Sequence, residues 1–521
     1  MSTTTYAAGV YSPASHPALS PADELAFETS QVLAKPFVAV QRRGGGIVVE
    51  GAPHHAWGSL ADGVGFAEWR WDGATLEART DRFGFRPLFY WEHGEGVAVA
   101  ASLLKLVELG APTELDDAAL AVFLRIGFFL AEDTPFRAVR VLPPGGRLTW
   151  RDGVLEVTGG YPAVRHSDVP RDDAIDAYIA VVRDAVRRSL PARDGCAIPL
   201  SGGRDSRHIL LELHAAGAPP DVCITLRNYP PRGGRDLAVA PELARAVGVP
   251  HVVLDEDPSR VRAELRKNLA THLCADEHAW FVPLADYVRG RWGTIYDGLA
   301  GDVLSAGHRL DAHRLEHMRT RRLAPLAALL CDEGHVRFLP RKQARRFSHA
   351  LAIERLVAEL ERHVEAPNPV GSFFFWNRTR REVALVPFGL LDGAARVVTP
   401  FLDGAVYDFV SSLPAHLFLD RRFHTDAIRR AHPRFAHIPF DSELTGPGPS
   451  LPAADVRRHY RRLLREIAEY AIALPDPRLV RRGLLLARTA YWMMRGDFSD
   501  APGMVIALYL MQLERIARWR D

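Results

Sequence analysis

The apolar run Ile198-Pro199-Leu200 enters Ser201-Gly202-Gly203-Arg204-Asp205-Ser206 and leaves as the helix-periodic stretch Arg207-His208-Ile209-Leu210-Leu211-Glu212-Leu213. A strand that feeds a glycine turn opening a helix limits the fold more than any other feature of the chain. Glycines reach φ values that other residues avoid and let the backbone approach an anion closely. The first helical turn offers unpaired N–H groups at the positive end of the helix dipole, and Ser201 and Ser206 add hydroxyl donors. Asp205 is the discordant residue. A carboxylate beside an anion site is repulsive unless a divalent cation lies between them, and Mg²⁺ suits because it takes few carboxylates plus phosphate oxygens. This is the layout of a pyrophosphate-binding loop, a device for cleaving ATP between its α and β phosphates. The plainer alternative is a Gly-Gly turn with an Asp capping the helix. It is disfavoured because the whole six-residue pattern follows an apolar strand. Other nucleotide loops do not fit. None of the four lysines, Lys35, Lys105, Lys267 and Lys342, follows a glycine, and no G-x-G-x-x-G opens a helix after a strand.

Downstream, strand and helix alternate. Asp221–Leu226 and His251–Leu254 read as strands, and Asp236–Val247 as a helix with apolar residues at Leu237, Ala240, Leu243, Ala244 and Val247. The alternation predicts an α/β domain with a doubly wound parallel sheet. In such sheets ligands bind beyond the carboxyl ends of the strands, which places Leu200 and Leu226 in the nucleotide lining with Ser201, Gly202, Gly203, Asp205 and Ser206. A second loop, Asp297-Gly298-Leu299-Ala300-Gly301-Asp302, follows the β-prone Thr294-Ile295-Tyr296. Alone it reads as an ordinary turn. Paired with the first loop, it adds Asp297 and Gly298 to the nucleotide lining and Asp302 as a second carboxylate for Mg²⁺ beside Asp205.

Together the two loops resemble the synthetase domain of the asparagine synthetase family, whose second loop reads Gly-Glu-Gly-x-Asp-Glu and lies over Gly298 to Asp302. Thr399-Pro400-Phe401-Leu402-Asp403, followed by Tyr407-Asp408-Phe409-Val410-Ser411-Ser412-Leu413-Pro414, is similar to the family's Pro-Phe-Leu-Asp block and Leu-Pro helix end. Upstream, Asp81-Arg82-Phe83-Gly84-Phe85-Arg86-Pro87-Leu88-Phe89-Tyr90 resembles its Asp-Arg-x-Gly-x-x-Pro-Leu-x-Tyr block. Leu115-Asp116, Thr134-Pro135-Phe136 and Leu142-Pro143-Pro144-Gly145 continue the same order. The resemblance runs in register over roughly residues 60 to 435. It implies that a carboxylate attacks the α-phosphate of ATP to give an acyl-adenylate and pyrophosphate, and that an amine then displaces AMP. A metal and a helix dipole would stabilise the charge on pyrophosphate.

Three departures sharpen this expectation. Glutamine-hydrolysing members carry a nucleophilic Cys after the initiator Met, whereas this chain opens Met1-Ser2-Thr3-Thr4 and its first cysteine is Cys196. A thiolate is a far better nucleophile than a hydroxyl near neutral pH, so the amidotransferase half is expected to be degenerate and without glutaminase activity. The family's loop Glu is Leu299 here, and an apolar side chain transfers no proton. The family's lysine, in a Lys-x-x-Leu-Arg block, falls at Thr425, and no lysine follows Lys342. Arg422, His424 and Arg429 are the catalytic candidates for its role, or they cap and solvate a helix. In the Arg-rich run Asn377-Arg378-Thr379-Arg380-Arg381-Glu382, one arginine reaching ATP competes with the polar face of a helix.

The expected division is a loosely ordered leader over 1–35 and a reduced amidotransferase-like sandwich of the N-terminal-nucleophile type over 36–165. A synthetase domain over 166–450 and a helical extension packing on it over 451–521 complete the chain. The β segments Gly46–Val49, Leu76–Arg79 and Val97–Ala100 belong to the sandwich. Hydrophobic residues at 47% and charged residues at 25% describe a globular protein. A net charge of +2 from 65 basic and 63 acidic residues calls for neither a nucleic-acid nor a membrane partner. Cys196, Cys223, Cys274 and Cys331 form no C-x-x-C pair and fit a reducing cytoplasm. His54-His55, and His272 with His278, lack metal spacing and read as surface or packing residues. Residues 1–20 lack a signal-peptide pattern, and the apolar run from Ala118 to Ala131 is interrupted by Arg125 and too short to span a bilayer. The leading function is a glutamine-independent, ATP-dependent amide synthetase acting on a small-molecule or peptide carboxylate, including an intramolecular or peptide cyclase served by a precursor peptide or partner protein. An ammonia-dependent asparagine synthetase is one alternative. A nucleotide-binding scaffold that has lost catalysis is another. Oligomeric state is open.

Overall fold

The computed structural model describes residues 9–11, 29–43, 46–58, 64–191, 195–229, 234–444, 452–496 and 501–519. Along Thr75–Thr80 buried and outward positions alternate, the period-2 signature of a half-buried strand. Its sheet runs, in spatial order, Val154–Thr158, Arg147–Arg151, Thr75–Thr80, Ala67–Trp71 and His54–Trp57. A second sheet runs Gly46–Gly51, Phe37–Arg43, Gly96–Ala100, Phe89–His93 and Val139–Val141, and both sheets are antiparallel throughout. Their inner faces meet around Val38, Val40, Trp69, Leu76, Val97, Val99 and Trp150. The N-terminal half is therefore an antiparallel sandwich of the N-terminal-nucleophile type.

The second half is an α/β domain. Its parallel strands lie in the order His251–Leu254, Val222–Leu226, Cys196–Pro199, Thr294–Tyr296 and Arg396–Val398. The short segment Gly9–Tyr11 adds a sixth parallel strand beside His251–Leu254. Part of the expected leader thus joins this sheet, because an edge strand offers a row of unpaired backbone groups. The rest of residues 1–28 lies outside the described residues.

The two halves are fastened by groups that sequence reading assigned elsewhere. Arg380 is 1% exposed and donates to the carbonyls of Phe83 at 3.1 Å, Ala131 at 3.1 Å and Leu142 at 2.7 Å, all in the sandwich half. Arg381, equally buried, donates to Asp133 O at 2.5 Å. Asn377 accepts the N–H of Ala131 at 2.9 Å. For Arg380 and Arg381 neither a phosphate ligand nor a solvated helix face is correct: they clamp the sandwich to the second domain. Burial pulls Arg380 down to about 10, the cost of holding a cation on neutral carbonyls. The segment Phe375–Val383 that carries them is a π-helix, a widened geometry frequent at functional positions. The Asp81-Arg82 block also serves the interface. Buried Asp81 accepts the N–H groups of Gly65, Phe83 and Gly84, and Arg82 forks onto Asp408 at 3.0 and 2.6 Å.

Three helices close the chain, Ala453–Ala473, Arg482–Arg495 and Ala501–Ala517. The last packs on Arg260–Ala270 of the α/β domain and also reaches the sandwich half. Thr113 Oγ1 donates to Ala517 O at 2.8 Å, and the Tyr509 ring lies 4.7 Å from that of Phe123. The extension bridges both halves because the apolar helix Asp117–Ile126 faces it. Arg125, which interrupts that helix's apolar run, is buried on Ala121 O and Phe347 O and paired with Glu333.

Candidate functional site

Successive strands of the parallel sheet step from Cys196–Pro199 outward to Val222–Leu226 and His251–Leu254. The next two, Thr294–Tyr296 and Arg396–Val398, lie on the opposite side of Cys196–Pro199. The order therefore reverses between Cys196–Pro199 and Thr294–Tyr296, and a sheet opens a ligand crevice at such a reversal. The loops leaving these two strands are Ser201–Ser206 and Asp297–Asp302.

The loops interlock. Asp205, in the first turn of the helix Asp205–Ala215, accepts the backbone N–H of Asp302. A Cβ on Gly298 would lie 2.7 Å from Asp205 Cβ, and one on Gly301 would lie 2.6 Å from Asp205 Cγ. Both glycines are there to admit the neighbouring acid. Between them Ala300 adopts φ 73°, a left-handed conformation unusual for a residue with a Cβ. Leu299 is buried and donates its N–H to Asp297 at 2.8 Å.

Burial, then the fields of Asp302 and Asp297, push the Asp205 carboxyl well above the usual range. Burial pushes Asp297 up to about 6. His424 Nδ1 lies 3.4 Å from Asp205 Oδ1, but burial, helped by Arg204, pulls this histidine down to about 3. It is a neutral neighbour at pH 7, not a counter-charge. Its ring is fixed by Ser305 Oγ at 3.0 Å, His208 Nδ1 at 3.1 Å and Tyr178 OH at 3.4 Å. Three crowded acids beside a neutral imidazole fit a divalent cation better than they fit each other. Among the described residues, the three-ligand groups with metal spacing are His208–Glu212–His432 and Glu277–His278–Glu382. Asp205 and Asp302 are not among those groups; His308 Nδ1 lies 3.7 Å from Asp302 Oδ2.

In the first loop Ser201 N–H donates to Ser206 Oγ at 3.1 Å, Gly203 N–H to Ser201 Oγ at 3.2 Å and Gly202 N–H to Asp236 at 2.7 Å. Neither Gly202 nor Gly203 has positive φ, so the expected dihedral reason for them is corrected. The need is space, since a Cβ on Gly202 would lie 2.9 Å from Asp441 Cβ. Asp441 belongs to a strap, Phe440–Glu443, laid across the loop with Asp441 N–H on Gly202 O at 3.0 Å. Arg207 holds the strap by donating to Ile438 O at 2.8 Å and Pro439 O at 2.6 Å, with its guanidinium 3.9 Å from the centre of the Phe440 ring. Leu200 lies buried at the strand end with its N–H on Ile224 O at 2.7 Å, and half-buried Leu226 ends the adjoining strand.

The three catalytic candidates separate. His424 touches Asp205. Arg429 is engaged by Glu443 of the strap at 2.7 and 2.8 Å. Arg422 is exposed, its backbone N–H capped by Asp420. Thr425, at the lysine position, accepts Arg204 Nε at 2.7 Å. Arg204 is thus a cation at the loop that sequence reading passed over as the variable residue of the motif. His278, read from sequence as a surface or packing residue, and Glu382, read as part of the Arg-rich run, were not paired there, because their approach joins segments far apart in the chain.

Residues 59–161 match the family described as a glutamine amidotransferase domain. The match lies within the sandwich half, and the parallel α/β domain follows it. No curated protein matches the chain. Among the described residues, no helix is long and apolar enough to cross a membrane.

Proposed function

We propose that the chain is an ATP-dependent, AMP- and pyrophosphate-forming amide synthetase of the asparagine synthetase type. The observation that carries this reading is the fastening of Asp205 to the Asp297–Asp302 loop at the sheet's reversal. ATP would lie along Leu200, Ser201, Gly202, Gly203, Ser206, Leu226, Asp297 and Gly298. Mg²⁺ would be held by Asp205 and Asp302, supplying charge stabilisation at the triphosphate. Ser201 and Ser206 orient hydroxyls toward the phosphates, Arg204 supplies positive charge where the lysine is missing, and the strap over Gly202 excludes water. His424, neutral and fixed on both nitrogens, positions Asp205.

The reading is glutamine-independent. The chain has no cysteine before Cys196, and Cys196, Cys223 and Cys274 are buried in or beside the α/β domain. Four cysteines that form no disulfide fit a reducing cytoplasm. Leu299 removes the acid that handles ammonia, which favours a specific amine on the same or another molecule over asparagine synthesis.

The test is pyrophosphate release by the full chain with ATP and Mg²⁺ across a panel of amino acids, small-molecule acids and peptides carrying free carboxylates. Release that depends on one acid supports the reading. ATP binding with no release across the panel favours a nucleotide-binding scaffold.

A further inference from the structure

A second polar cluster, Glu277, His278 and Glu382, lies outside the two loops. His278 Nδ1 lies 3.4 Å from Glu382 Oε1. Both atoms are buried and neither makes a hydrogen bond, although Glu382 is 1% exposed. Unpaired buried polar atoms are rare and costly. Glu382 Oε2 is held by Arg378 Nε at 3.3 Å, and Arg378 reaches Glu277 at 3.3 Å. His278 stands at φ 77°, a left-handed conformation for a residue with a bulky side chain. Glu382 rides on the π-helical segment. Strain, a widened helix and two unsatisfied buried groups thus coincide in one pair, a coincidence that marks functional positions. The pair stands beside the second loop: the segment Phe375–Val383 that carries Glu382 packs on the helix Gly301–Ser305 that begins there, His278 acts on the charge of Asp297, and Arg378 feels the carboxylate of Asp302.

We propose that His278, oriented by Glu382, is the proton acceptor for the attacking amine, the role that Leu299 is unable to fill. This rests on the synthetase reading above. With Nδ1–H turned to Glu382, Nε2 keeps its lone pair, the arrangement of an oriented imidazole base. The amine lone pair forms the C–N bond at the acyl carbon. The C–O bond to the AMP phosphate breaks and its electrons leave with AMP. The ammonium first gives one N–H proton to His278 Nε2, which frees that lone pair, and the second N–H proton leaves the tetrahedral adduct for the departing AMP phosphate. Glu277, half-buried and tied to Arg378, gives the subsite an acidic wall suited to a primary amine arriving as its ammonium form.

The test uses the full chain, ATP, Mg²⁺ and the acid selected by pyrophosphate release, with two acceptors. Hydroxylamine is largely unprotonated at neutral pH and needs no base, whereas methylamine is protonated and needs one. His278→Asn keeps a residue tolerant of the left-handed backbone, and Glu382→Gln keeps shape without charge. Thermal melts establish that both variants fold. The expected result is hydroxamate formation near the wild-type rate with methylamide formation reduced ~10²–10⁴-fold in His278→Asn, and by less in Glu382→Gln. Equal rates with methylamine in wild type and His278→Asn, or equal losses with both acceptors, overturn the proposal and leave the synthetase standing. Absence of pyrophosphate release from the wild type with every acid overturns the synthetase reading, and this assignment with it.

Discussion

Asp205 accepts a hydrogen bond from the backbone N–H of Asp302, so the acid of one loop is fastened to the loop that carries the other. The contact is close enough that Gly301 has no room for a methyl group, since a Cβ there would lie 2.6 Å from Asp205 Cγ. Gly301→Ala is expected to destabilise the fold by about 1–3 kcal/mol through overpacking and to abolish any Mg²⁺-dependent rise in melting temperature with ATP. Asp205→Asn separates the two effects. It relieves crowding among acids, so the melting temperature without nucleotide holds or rises, while the response to Mg²⁺ and ATP disappears. A melt that responds to Mg²⁺ and ATP as strongly in Asp205→Asn as in wild type contradicts the assignment of this acid to a cation.

Buried Arg380 makes an interface prediction. Arg380→Ala removes three hydrogen bonds to the sandwich and leaves Phe83, Ala131 and Leu142 carbonyls unpaired. The expected loss is about 3–5 kcal/mol in urea unfolding, with the single transition splitting into two as the halves uncouple. Arg380→Lys recovers little of it, because one ammonium does not reproduce the spread of a guanidinium. An unchanged midpoint refutes the clamp.

His272 sets an acid limit. Burial, then the positive charge of Lys35, pulls it down to about 3, while its unfolded value is near 6.5. Between those values the unfolded chain binds the extra proton. Stability is therefore intact above pH 6.5 and falls as pH drops toward 3, by up to ~1.4 kcal/mol per pH unit from this group. His272→Asn, which suits the φ of 57° at this position, flattens that limb of a stability–pH curve measured with denaturant. An unaltered slope means that another group governs it.

The strap over the nucleotide loop hangs on Arg207. Arg207→Ala deletes two bonds to Ile438 and Pro439, which lead into the strap, and the stack on Phe440, and is expected to expose the segment near Phe440 to limited proteolysis several-fold faster than in wild type. Wild-type cleavage kinetics at this segment would show that Asp441 on Gly202 suffices.

The parallel sheet and both of its loops were legible because each leaves a local mark: an apolar run, a glycine turn, then helical periodicity. The β segments expected at Gly46–Val49, Leu76–Arg79 and Val97–Ala100 fall within the strands Gly46–Gly51, Thr75–Thr80 and Gly96–Ala100. Arg380 was not. A buried arginine satisfied by carbonyls of a distant segment looks, locally, like one on a wet helix face, and only the fold supplies the three acceptors. The partners of Arg429 and Arg204 were hidden for the same reason, since Glu443 engages the first and Thr425 accepts from the second only in the folded chain. His208 and Glu212 did carry a sign, four residues apart on one helix, but His432 completes their group only in three dimensions.

A sandwich that satisfies a cation buried in its neighbour is no longer a detachable cassette. Excising it would bare Arg380 and Arg381 together with the apolar rings of Phe375 and Trp376 that pack on Phe83. It is the foundation on which the other half stands, so the two must be expressed and engineered as one piece.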